Sequence, residues 1–177
     1  HELLPETPML SRAIPVVLAA ALLTSCDDPT GPLPREGAPR EFEYSVGGFA
    51  VGSGRVEVRG DTVVLVRMPW DARSGSRPDS IRTVPSPEAW RAFWEAAADA
   101  GVRRWRPRYI AENVVDGSGW SLRIVAPGAK VESTGSNAYP DRHGLEHEME
   151  APREFRAFEA AIETLAGAPL RPVLNTR

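Results

Sequence analysis

The chain has a single cysteine, Cys26, and it closes an apolar run, so everything after it must fold without a disulfide, a thiolate metal site or a thiol nucleophile. The run, residues 13–23, reads AIPVVLAAALL and has eleven residues. As a helix it would reach about 16 Å, roughly half the hydrocarbon thickness that a spanning helix must cover. It is therefore too short for a membrane span. Arg12 supplies a cationic start, residues 13–23 an apolar middle, and Thr24 and Ser25 small side chains before a cut, which is the order of an export leader. The preceding HELLPETP places Glu2 and Glu6 where a leader wants positive charge, so Met9 is the expected start and residues 1–25 the expected signal peptide.

Leu23-Thr24-Ser25-Cys26 resembles the lipobox of bacterial lipoproteins: aliphatic, small, small, cysteine. The resemblance covers only the leader. It implies a diacylglyceryl thioether on the Cys26 sulfur and cleavage just before that residue. It also implies a location in the cell envelope, facing the periplasm or the exterior. Two or more acyl chains hold a protein firmly where one binds reversibly, so lipid on this residue suffices as an anchor. Asp27 and Asp28 follow at once; the choice between inner and outer membrane is left open.

Without residues 1–25, 152 of the 177 residues remain, enough for one domain with a core of its own. With 24 acidic against 21 basic residues there is no electrostatic case for nucleic acid. Residues 26–40 read as the lipidated cysteine and a Pro-rich tether, with prolines at 29, 32, 34 and 39. Residues 41–170 read as one domain and 171–177 as a tail. Residues 71–87, polar and Pro-containing, read as a long surface loop.

Strand signals begin at Phe42. Val56 and Val58 alternate with Arg55, Glu57 and Arg59, and 63–66 is continuously apolar, with Gly60-Asp61 as a hairpin turn between them. Gly52-Ser53-Gly54 reads as another turn. Ser86-Pro87-Glu88 opens a helix whose apolar face is Trp90, Phe93, Trp94 and Ala97, and Gly101 ends it. Trp120, Leu122 and Ile124 alternate with Ser121 and Arg123, then Pro127-Gly128 turns the chain into AKVEST. A last helix from Pro152 shows Phe155, Phe158, Ile162 and Leu165 on one face. The expected fold is α+β: an antiparallel sheet of four to five strands with two helices on one face, in the order β-β-α-β-β-α.

No motif specifies a reaction. Ser53 and Ser118 sit in Gly-Ser-Gly, without the spacing of a nucleophile elbow. His143 and His147 are four apart, as metal ligands on a helix can be, but Gly144 stands where a zincin carries its glutamate. No catalytic residue, metal or other cofactor is assigned. Arg103, Arg104, Arg106 and Arg108 interleave with Trp105 and Tyr109. Two readings stand there: a strip for anionic lipid headgroups or a phosphorylated ligand, or cations complementing a helix C-terminus over inward-packed rings.

Asp116-Gly117 with Trp120, and Gly135, Asn137, Tyr139 and Pro140 after the next strand, resemble a pairing of Asp-Gly-x-x-Trp with Gly-x-Asn-x-Tyr-Pro in small bacterial proteins. That resemblance spans about residues 110–165 and implies no activity. Trp120, Asn137 and Tyr139 are the candidate ligand surface. VGGFAV at 46–51 and the element order resemble the emfourin-type inhibitors of thermolysin-like metalloproteases, and no inhibitory residue carries over. The expected function is a lipid-anchored envelope module that binds a protein or small-molecule partner. The alternatives are an inhibitor of an exported protease and a small envelope hydrolase whose site assembles only in three dimensions.

Overall fold

The computed structural model describes residues 31–48, 51–70, 77–114 and 116–172. Cys26, the leader and most of the tail lie outside the described residues. The domain is α+β, as expected, but it is built on a larger and mixed sheet. The strands are β1 (Glu41–Gly48), β2 (Gly52–Arg59), β3 (Thr62–Met68), β4 (Asp79–Thr83), β5 (Arg108–Ile110), β6 (Ser118–Ala126), β7 (Ala129–Ser136), β8 (Ala138–Pro140) and β9 (Glu146–Glu148). Helix α1 (Pro87–Asp99) follows β4, and α2 (Arg153–Ala166) follows β9.

Seven strands join in the order β4-β3-β2-β1-β6-β7-β5, and β8 and β9 form a separate two-stranded ribbon. All neighbours in the large sheet are antiparallel except β5, which runs parallel to β7. Two parts of the expectation are corrected here. Four strands precede α1 instead of two, and five lie between the helices, so the order β-β-α-β-β-α does not hold. The second correction concerns residues 71–87, because 79–83 is a strand and no loop.

That strand is polar because it lies at the sheet edge with one neighbour, where pairing and not propensity decides the outcome. Asp79 stands opposite Arg67 and is ion-paired with it, while Thr83 Oγ1 donates to Ala166 O at 2.9 Å. The edge is thereby fastened at both ends.

Residues 42, 44 and 46 of β1, 56 of β2, 63 and 65 of β3 and 120, 122 and 124 of β6 point to one face. There they meet the apolar faces of α1 and α2 in one core. The opposite face is wet and carries alternating charge: Arg123 pairs with Glu41 and Glu132, and Arg55 with Glu43 at 3.0 Å. A one-residue slip in register would bury that ladder, so the charge pattern helps to fix the pairing.

Helix α1 forms where local signals place it. Ser86 is extended, at φ −71° and ψ 161°, and its hydroxyl accepts from Ala89 N at 3.2 Å; Pro87 takes the first turn. Its face delivers Trp90, Phe93, Trp94 and Ala97 to the core. In α2 the buried residues are Phe155, Phe158, Ile162, Leu165 and Ala166, and Gly167 closes the helix in the left-handed region at φ 72°.

Gly52-Ser53-Gly54 is not the turn expected from sequence but the start of β2. Gly54 is bare for packing: a Cβ there would stand 2.0 Å from the carbonyl oxygen of Leu170, where the chain folds back over the sheet after α2.

One ionisable pair stands at the margin of this core, with Tyr44 buried and Glu159 partly buried. Tyr44 on β1 donates its hydroxyl to Glu159 Oε1 on α2 at 2.6 Å, and Arg171 lies 3.8 Å from the same carboxylate. Burial pushes the Glu159 carboxyl above its ordinary range, against the opposing pull of the Tyr44 hydrogen bond and Arg171. The folded state therefore holds this proton to higher pH than the unfolded chain does. The associated stability is complete below the ordinary carboxylate range and is lost as pH rises through the folded-state value. Glu159→Gln keeps an acceptor for Tyr44 without the charge. It is expected to melt higher than the parent at neutral pH, with the gap closing as pH falls to about 4. Thermal melts across that range decide it, and a gap that widens in acid would refute the reading.

Candidate functional site

The structure does bring Trp120, Asn137 and Tyr139 together, and it encloses them. They are 4%, 7% and 9% exposed. Trp120 Nε1 donates to Ala138 O at 2.9 Å, and Asn137 Oδ1 accepts from Ser118 N at 2.7 Å. Asn137 stands at φ 50°, a left-handed backbone that asparagine tolerates, and its own N–H and C=O bond to Ser118 and Met149. The Tyr139 ring meets Phe155 edge-on at 5.1 Å.

The glycines of the same motif are the counterpart of these side chains. A Cβ on Gly117 would fall 1.7 Å from Asn137 Oδ1, and one on Gly135 would fall 2.1 Å from Trp120 Nε1. Gly117 therefore makes room for the amide and Gly135 for the indole. This constellation is a packing knot that carries β7 into β8.

His143 and His147 do not share a helix face. Asp141 organises their loop by accepting from His143 N at 2.8 Å and Leu145 N at 2.9 Å, while His147, on β9, has Nε2 3.4 Å from Asp141 Oδ2. Partial desolvation pushes the Asp141 carboxyl up, yet those two amides and His147 hold it below the ordinary aspartate range. Among the described residues no three His, Cys, Asp or Glu side chains gather where they would hold a metal ion.

The arginine strip divides. Trp105 and Tyr109 pack inward, as the second reading expects, with Trp105 Nε1 donating to Ala100 O at 2.9 Å, but the last turn of α1 itself holds no basic residue. Arg106 pairs with Glu146 at 3.1 Å and lies over the Tyr109 ring at 4.7 Å. Arg104 donates to Arg142 O at 3.2 Å. Arg103 has no ion pair among the described residues.

Arg103 instead lines a cleft of about 1020 Å³ between α1 and the Pro-rich segment that precedes β1. Residues 32–36 form one wall, and Arg91, Trp94, Glu95, Ala98 and Val102 are among the residues of the other. The segment is held to the helix by Trp94 Nε1, which donates to Gly37 O at 2.8 Å, and by Leu33, which packs against the core. Sequence reasoning missed this cleft, because prolines at 32, 34 and 39 read as an unattached tether. The available signal was Leu33, an apolar side chain alone in a polar tract.

Comparison with known proteins gave no match to a family model and none to a curated sequence. Among the described residues no helix is long and apolar enough to cross a membrane. Among the described residues the geometry offers an open cleft lined by arginines and by apolar residues between α1 and residues 32–36. Its lining carries both signs, Arg35, Arg91, Arg103 and Arg104 with Glu36 and Glu95, and guanidinium forks match the shapes of planar and tetrahedral oxyanions.

Proposed function

We propose that the chain is an exported lipoprotein, held in the cell envelope by lipid on Cys26, with a domain that binds a partner or ligand and faces the periplasm or exterior. The observation that carries this reading is the position of the chain's only thiol. Cys26 closes an apolar run of eleven residues within Leu-Thr-Ser-Cys, five residues ahead of Gly31, where the described part of the domain begins. Binding is supported by the cleft, whose lining includes Arg35, Arg91 and Arg103 with Leu33, Trp94 and Val102.

The test is Cys26→Ala in the full chain, followed by metabolic palmitate labelling and cell fractionation. Label and membrane association are both expected to vanish. The melting temperature is expected to stay unchanged, because no described core residue depends on that sulfur. An unmodified thiol on the native protein, with residues 13–25 still attached, would refute the reading.

A further inference from the structure

The wall of the cleft formed by residues 32–36 is the same stretch of chain that leads to Cys26. Four residues, 27–30, lie between Cys26 and Gly31, and the five Cα-to-Cα steps span at most about 18 Å. A lipid on Cys26 would therefore keep this side of the domain within about two Debye lengths of the bilayer surface at physiological salt.

The arginines on that side are not locked in close ion pairs, although Arg91 acts on the nearby Glu88 carboxylate. Among the described residues Arg35, Arg91 and Arg103 form no ion pair, whereas Arg55 and Arg123 on the open face of the sheet are each bound to glutamates. Glu36 and Glu95 also line the cleft, against Arg35, Arg91, Arg103 and Arg104, which leaves a positive excess in a chain whose formal net charge is −3. Leu33 and Ala98 add apolar surface to the lining, and the buried Trp94 and Val102 back it, which lowers the local dielectric and strengthens pairing there.

We propose that this cleft receives the phosphate-bearing headgroups of anionic lipids in the membrane to which Cys26 is anchored, so that the domain sits with α1 and residues 32–36 against the bilayer. The proposal rests on the lipid-anchor reading. Its chemistry is that of arginine forks on phosphate oxygens beside an apolar surface. The lipid gives the attachment and the cleft gives the orientation.

The experiment uses residues 26–177, which contain every described residue, with Cys26→Ala so that no acyl chain contributes. Co-sedimentation at low ionic strength compares vesicles of phosphatidylcholine alone with vesicles containing phosphatidylglycerol. Binding is expected only to the anionic vesicles and is expected to fall as salt is added. Arg91→Gln with Arg103→Gln is expected to weaken it by about tenfold or more, at about fivefold per arginine near a charged surface. Arg82→Gln, which removes the same charge from β4, is expected to leave it unchanged. Equal binding to both vesicle types, no binding to either, or an equal loss with Arg82→Gln would overturn the proposal. So would full displacement by soluble glycerol phosphate, which would assign the cleft to a free phosphate ligand. Palmitate labelling keeps the two readings apart: loss of the arginine effect with label intact removes only this inference, and absence of label with the arginine effect intact overturns the anchor and with it the orientation of an anchored domain, leaving an anionic-surface site alone.

Discussion

Phe158→Ala is expected to destabilise the domain by about 3–5 kcal/mol, a large part of the total stability of a domain of this size. The residue lies on α2 and is completely buried. Its ring meets Tyr44 of β1 edge-on at 6.3 Å, Phe93 of α1 at 5.7 Å and Trp105 edge-on at 5.5 Å, so one side chain joins the sheet to both helical segments above it. Truncation leaves a void bounded by three rings, which cannot collapse without giving up their own contacts with Phe42, Trp94 and Trp120. Phe158→Leu retains most of the volume and is expected to cost about 1.5 kcal/mol. Urea unfolding of the two variants reads the difference as a shift in midpoint at constant slope. A Phe158→Ala midpoint within error of the parent would mean that the core is not joined through this ring.

The elements around Phe158 differ in how far the sequence foretold them. Helix α1 is announced by residues next to one another: Ser86 caps, Pro87 starts the first turn, and the apolar residues recur at the helical period. The hairpins β2-β3 and β6-β7 are announced in the same way, the first by alternation in β2 and a continuous apolar run in β3 around Gly60-Asp61, the second by alternation in β6 before Pro127-Gly128. What was not foretold depends on partners remote in sequence. β4 is a strand because Arg67 and β3 pair with it, and β5 because β7 offers an edge parallel to it; neither segment has an apolar pattern of its own. Tyr44 and Glu159 are 115 residues apart, and nothing near either one marks the bond between them. The cleft was hidden for a related reason. Its charges come from Arg35, Arg91 and Arg103, and only the docking of residues 32–36 along α1 makes them neighbours. The arginine strip itself was visible, but which of its guanidinium groups remain free follows from Glu146 and the Arg142 carbonyl.

Gly135→Ala is expected to cost about 3 kcal/mol or more although it adds one methyl group, because the site has no direction in which to yield. The new Cβ would stand 2.1 Å from Trp120 Nε1 and 2.4 Å from the carbonyl oxygen of Ala138, the two atoms that bond to each other across the position. Moving the indole would break that bond and disturb its ring contacts with Trp105 at 5.5 Å, Tyr109 at 6.1 Å and Phe155 at 5.1 Å. Moving the carbonyl would disturb β8. Gly119→Ala provides the contrast: its nearest atom would be Gly135 O at 3.7 Å, so it is expected to be neutral or stabilising by up to about 1 kcal/mol. A double-mutant cycle carries the argument further. Trp120→Phe lacks the indole nitrogen and is destabilising alone, since it leaves the Ala138 carbonyl without its donor. Combined with Gly135→Ala it is expected to cost less than the sum of the two, because the smaller ring vacates the space that the methyl group needs. Strict additivity would mean that glycine and tryptophan are not paired by packing. The role of Trp120, Asn137 and Tyr139 would then have to be sought outside the folding of β7 into β8.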